Sequence, residues 1–93
     1  MVIKLLTIDI HLPGRFSLKE KRFVLSSLKN KLGSQLNTAV AEVGYQEKWQ
    51  RTMLAVVAVG NDRAIVDSTC QKALRFLEND HRLTILDCIE EIR

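Results

Sequence analysis

One proline and four glycines in 93 residues leave little for flexible linkers, and no low-complexity stretch or internal repeat interrupts the chain. Those shortages exclude a disordered or solenoid protein. Cysteine is scarce as well. Cys70 and Cys88 lie 18 positions apart with no CxxC spacing, too sparse for a disulfide scaffold and too few for a zinc site. Two reduced thiols in a cytoplasmic protein are expected. No apolar run approaches the roughly 20 residues that cross a bilayer. The first residues, Met1 to Asp9, carry Lys4 among their apolar side chains and have neither a basic leader nor a small-residue cleavage site, so neither an export signal nor a membrane partner is expected. Aromatics make up 5% of the chain, with Trp49 and Tyr45 the only residues of their kinds.

What is present is a core. Hydrophobic residues are 46% and charged residues 27% of the sequence, a globular balance. A chain this short forms one domain, residues 1–93, and must pack densely, because it buries only about 60–65% of its unfolded surface. Residues 2–12 read as a strand rich in Ile, Leu and Val. Leu12-Pro13-Gly14-Arg15-Phe16 turns the chain, Pro13 setting φ and Gly14 allowing unusual backbone angles. Ser17-Leu18-Lys19-Glu20 matches a capping box, opening a helix from Leu18 to about Leu32 that Gly33 is expected to stop. Val40–Val43 and Trp49–Val59 read as strands joined by a Gly44–Lys48 hairpin loop. Gly60-Asn61-Asp62 leads into a helix over 63–78 with an apolar stripe at Val66, Cys70, Ala73, Leu74 and Leu77. That phase makes Cys70 a core residue. Leu83–Ile92 supplies the last strand. The order β-α-β-β-α-β is that of an α+β, ferredoxin-like split βαβ sandwich: a four-stranded antiparallel sheet, order 4-1-3-2, with two helices on one face.

That topology brings 12–22, 42–51 and 78–82 to one rim, where Arg15, Lys19, Lys21, Arg22, Arg51 and Arg82 gather near Trp49 and Tyr45. Net charge is +3, yet residues 1–31 carry seven basic side chains against Asp9 and Glu20, a local +5. Such asymmetry points toward an anionic partner, although solvated helix faces produce similar skews. Lys19, Arg22, Ser26 and Lys29 form an outward stripe on the first helix, while Leu18, Val24, Leu25, Leu28 and Leu32 turn inward. Lys21 falls with the inward set. A buried ammonium needs a partner, so an ion pair with Glu42, or else Glu47, is expected. An anion held by Lys21 and the helix N-terminal amides is the competing reading. Alternation places Ile3, Leu5, Thr7, Asp9 and His11 on the sheet face without helices, an apolar surface that a homodimer would cover. Asp9 and His11 read as a surface hydrogen-bonding pair, and His81 as a loop residue with no role.

Two blocks carry a resemblance. Leu12-Pro13-Gly14 with Ser17-Leu18-Lys19-Glu20-Lys21-Arg22, and Ala41-Glu42-Val43-Gly44 with Trp49-Gln50-Arg51, closely resemble the YlxP-like family of small uncharacterised bacterial proteins over essentially the whole chain. Tyr45 and Glu47 depart from the family's common loop His and Asp. The resemblance implies a ferredoxin-like, cytoplasmic bacterial protein. Members are commonly encoded beside translation-initiation and ribosome-maturation factors, which implies a link to RNA or ribosomes and carries no established activity.

Pro13, Gly14, Ser17, Glu20, Lys21, Glu42 and Trp49 admit a structural role in building the rim, with Trp49 packing beneath it. Arg15, Lys19, Arg22 and Arg51 are the candidates for a phosphate-bearing partner. The leading expectation is a non-catalytic RNA- or ribosome-associated accessory module. Its β1 and the body of β3 lack the aromatics on which RNA-recognition motifs stack bases, so contact is expected at the rim and the helix stripe. A structural or regulatory homodimer without nucleic acid is the second reading. An acylphosphatase-like enzyme is the third. It is weakened because the 12–16 loop lacks a glycine-rich pattern and because only Asn37 precedes the second strand. No catalytic residue, metal site or cofactor is read from the sequence.

Overall fold

The computed structural model describes residues 1–14 and 17–93; Arg15 and Phe16 lie outside the described residues. Six elements follow in the expected order: β1 Val2–His11, α1 Leu18–Leu36, β2 Ala39–Gly44, β3 Arg51–Gly60, α2 Arg63–Glu78 and β4 Thr84–Ile92. The sheet runs β2-β3-β1-β4 with every neighbouring pair antiparallel. This is the ferredoxin-like α+β fold. The period-2 pattern of β1 sends Leu6, Ile8 and Ile10 into the core, where they meet Leu54, Val56 and Ala58 of β3. Val24, Leu25, Leu28 and Leu32 of α1 and Val66, Cys70, Ala73 and Leu77 of α2 close that core from one side. Helical spacing on one side and strand alternation on the other therefore bury a single apolar layer.

Each helix is capped as its sequence dictates. Ser17 is extended, and its side chain accepts from the Glu20 amide at 3.1 Å. Asp62 accepts from the Ala64 and Ile65 amides at 2.8 and 3.4 Å. Gly14 has φ +75°, the turn conformation that glycine adopts without a side-chain clash.

The end of α1 differs from expectation. Gly33 does not stop the helix, which continues to Leu36 and ends at Asn37 with φ 55°. Leu36 packs against the core, and Thr38 donates to the Leu32 carbonyl at 3.0 Å. Packing thus outweighs the low helix propensity of one glycine, and asparagine supplies the left-handed residue. A methyl at Gly33 would meet only the Thr38 carbonyl oxygen at 3.6 Å, an ordinary contact. Gly33→Ala is therefore expected to raise stability by up to about 1 kcal/mol, read as a higher urea midpoint. A fall would mean that the position is a true stop.

β1 and β3 end differently as well. Leu12 lies beyond β1 and donates its amide to the Gln50 carbonyl at 2.8 Å, and β3 starts at Arg51 rather than Trp49. The hairpin loop therefore spans 45–50 and carries Trp49 outward.

Candidate functional site

At the loop end of the sheet, the face without helices changes from apolar to polar. The row Glu91–Leu5–Val57–Ala39 crosses all four strands, and Ile89–Thr7–Ala55–Ala41 is the next. Beyond these come Asp87–Asp9–Met53, and then His11 beside Arg51. Asp9 does not pair with His11. Its partner is Arg51, which donates from Nε and Nη2 to the two carboxylate oxygens, each at 2.8 Å. The planar guanidinium fits a carboxylate in two parallel bonds, which a neutral imidazole cannot match. This bonding holds the Asp9 carboxyl below the usual carboxylate range and raises Arg51, with burial opposing both.

Arg51 also lies over the Tyr45 ring, 4.7 Å from its centroid. Tyr45 opens the loop with φ 58°, a left-handed conformation unusual for an aromatic residue. Two donors hold its carbonyl, the Lys21 ammonium at 2.5 Å and the Lys48 amide at 3.0 Å. Lys21 is 1% exposed, and its ammonium also sits 2.8 Å from a Glu42 carboxylate oxygen that accepts from Thr52 at 2.6 Å. The inward phase of Lys21 on α1 thus ends in a buried network that ties the first turn of α1 to the loop. The ammonium is occupied by protein oxygens, and Glu42 rather than Glu47 is its carboxylate.

Beside that network lies an open groove of about 470 Å³, lined by His11, Tyr45, Glu47, Lys48, Trp49, Gln50 and Arg51. Trp49 does not pack beneath the rim; it is 50% exposed and forms a groove wall.

The expected anion-binding residues separate. Arg51 is neutralised by Asp9, and Arg82 by Asp80 at 2.7 Å. Lys19 and Arg22 are exposed and form no ion pair among the described residues, as does Lys29 in the same stripe. Arg15 lies outside the described residues. Pro13 and Gly14 are exposed in the turn before them.

Sequence reasoning missed two residues. Phe23 is 74% exposed beside the α1 stripe, and only its place between Arg22 and the inward Val24 signalled this. Lys4 shares the inward parity of Leu6 and Ile8. It is buried against Asp67 and Glu90 at 3.1 and 3.3 Å.

Cys70 and Cys88 are free thiols, both pushed up first by burial; neither has the lowered pKa of a reactive cysteine. Among the described residues no group of three or more His, Cys, Asp or Glu is placed to hold a metal ion, and no helix is long and apolar enough to cross a membrane. Asn37 caps the far end of α1, about 28 Å along a 19-residue helix from its start. It is thus remote from Leu12–Gly14, the described part of the loop that an acylphosphatase-like reading requires.

Residues 3–89, which include every element of the groove and of the α1 stripe, match the family model described as a protein of unknown function, DUF503. The chain belongs to the DUF503 family. A DUF503 chain of this kind is similar to the uncharacterized protein YlxP of Bacillus subtilis (strain 168), 36% identical over 63 residues that cover 68% of each chain. A solved structure titled "Structural Genomics, protein YJCS" superposes with a TM-score of 0.63 at 9% identity, covering 96% of both chains. That likeness concerns the fold alone.

Proposed function

We propose that this DUF503 protein is a non-catalytic module that binds RNA, free or within a ribosomal particle, through the outer face of α1 and the adjoining rim. The observation that carries this reading is the distribution of uncompensated charge. Lys4, Lys21, Arg51, Arg63, Arg82 and Arg93 each face a carboxylate, whereas Lys19, Arg22 and Lys29 line up exposed in one stripe with no ion pair among the described residues. Lys31, Lys48, Lys72 and Arg75 also form none but are spread over α1, the 45–50 loop and α2. Cations with no internal partner are free to release counterions from a phosphate backbone. A cytoplasmic location accompanies the reading, supported by two cysteines left unpaired.

The test is a salt titration of binding to a single-stranded RNA. Lys19→Ala/Arg22→Ala/Lys29→Ala is expected to flatten the slope of log affinity against log salt by roughly 0.7 per lost contact. Lys72→Ala/Arg75→Ala on α2 is expected to leave it nearly unchanged. Equal weakening by both sets would reduce the binding to general attraction by a basic protein.

A second reading, a homodimer formed through the sheet face opposite the helices, is favoured by its apolar middle. Leu5 and Val57 lie side by side there, flanked by exposed Val59 and Ile89.

A further inference from the structure

We infer that the groove at the loop end of the open sheet face is a stacking site for an unpaired base of single-stranded RNA. This inference rests on the RNA reading above and names a second, chemically different contact for the same ligand. The sole Trp and the sole Tyr of the chain converge on one groove, and both keep a large part of their surface in water, 50% and 39%. Exposed aromatic rings at a concave site are the usual platform for nucleobases, because every base has a π-face.

The Tyr45 wall is fixed before any ligand arrives. Its carbonyl is held by Lys21 and Lys48, and its ring lies against an Arg51 guanidinium locked in place by Asp9. Immobilising a side chain on binding costs affinity, and here that order already exists.

Charge decides the class of ligand. Arg51 is cancelled by Asp9, and Glu47 accompanies Lys48 along the groove, so a bare anion finds no net attraction. A flat, neutral ring with hydrogen-bonding edges suits the lining better, since Gln50 and His11 offer both donors and acceptors. A volume of about 470 Å³ accommodates one nucleoside and is open enough for a chain to continue past it. The groove adjoins α1, because Lys21 in the first turn of that helix touches the Tyr45 carbonyl.

Trp49 is its own reporter. Titration with a single-stranded oligouridylate of about ten nucleotides is expected to quench its emission saturably. Trp49→Ala is expected to weaken binding by about 5- to 150-fold without changing the salt slope, because no phosphate contact is lost. Trp49→Phe is expected to retain most of the affinity. The α1 variants should do the reverse, flattening the slope while leaving the quench at saturation intact. Unchanged Trp49 emission at saturation, or wild-type affinity in Trp49→Ala, would overturn the groove and leave the α1 reading standing. No binding of wild type at low salt would overturn both. The wild-type quench needs no variant, so the inference can be tested even if Trp49→Ala fails to fold.

Discussion

Glu42→Ala is expected to destabilise the protein by about 3–5 kcal/mol, the usual loss when a buried ion pair is stripped of one member. The removed carboxylate leaves the Lys21 ammonium, 1% exposed, with only the Tyr45 carbonyl among its present partners, and leaves the Thr52 hydroxyl without its acceptor. Lys21→Met/Glu42→Gln is expected to recover much of that loss, because neither charge of the pair then remains to be buried. Urea unfolding of wild type, Lys21→Met, Glu42→Gln and the double variant gives the coupling directly. A coupling near zero would remove the pair from the account of the loop. The same variants bear on the groove: without Lys21, the Tyr45 carbonyl keeps only the Lys48 amide of its two donors, and the left-handed loop start is less constrained.

The protein is expected to self-associate weakly through the sheet face opposite the helices. Four strands about 4.8 Å apart, with the longest spanning ten residues at about 3.3 Å each, offer roughly 600 Å² per protomer. Two such faces give about 1,200 Å², the lower end of specific interfaces. The apolar middle around Leu5, Val57, Val59 and Ile89 favours burial, while Asp9, Asp87 and Glu91 at its margins resist it. A dissociation constant on the order of micromolar rather than nanomolar follows from so small an area once association entropy is subtracted. Sedimentation velocity across a concentration series is expected to show a monomer–dimer shift that Leu5→Lys abolishes. Leu5 lies on the open face in the row between Glu91 and Val57, where a lysine head can reach water, so this variant is expected to remain folded. A wild type that stays monomeric at about a hundred times that concentration would sink the homodimer reading.

Much of this molecule is legible in its sequence. Strand alternation in β1 and β3 and the 3.6-residue stripe of α2 are local periodicities, and their phases alone assign the buried faces. Ser17 and Asp62 announced two helix starts, because caps act over three residues. The order of elements then left few right-handed topologies. Lys21 also declared itself by phase, as a charge among leucines that demanded a carboxylate.

The remainder was decided at a distance. Gly33 reads locally as a stop, yet Leu36 packing and the Thr38 bond carried the helix four residues further. His11 is the sequence neighbour of Asp9, but antiparallel pairing set Arg51 from 42 residues away beside it, in the geometry a carboxylate prefers. Trp49 reads from the sequence as packing beneath the rim. The bond between the Leu12 amide and the Gln50 carbonyl closes the strands one residue later and turns the indole outward. Periodicity, capping and net charge were determined by the sequence itself, because they arise between near neighbours. Which cations are neutralised, and where the two aromatic rings stand open, only the tertiary structure decided, because both depend on partners supplied by other elements of the fold.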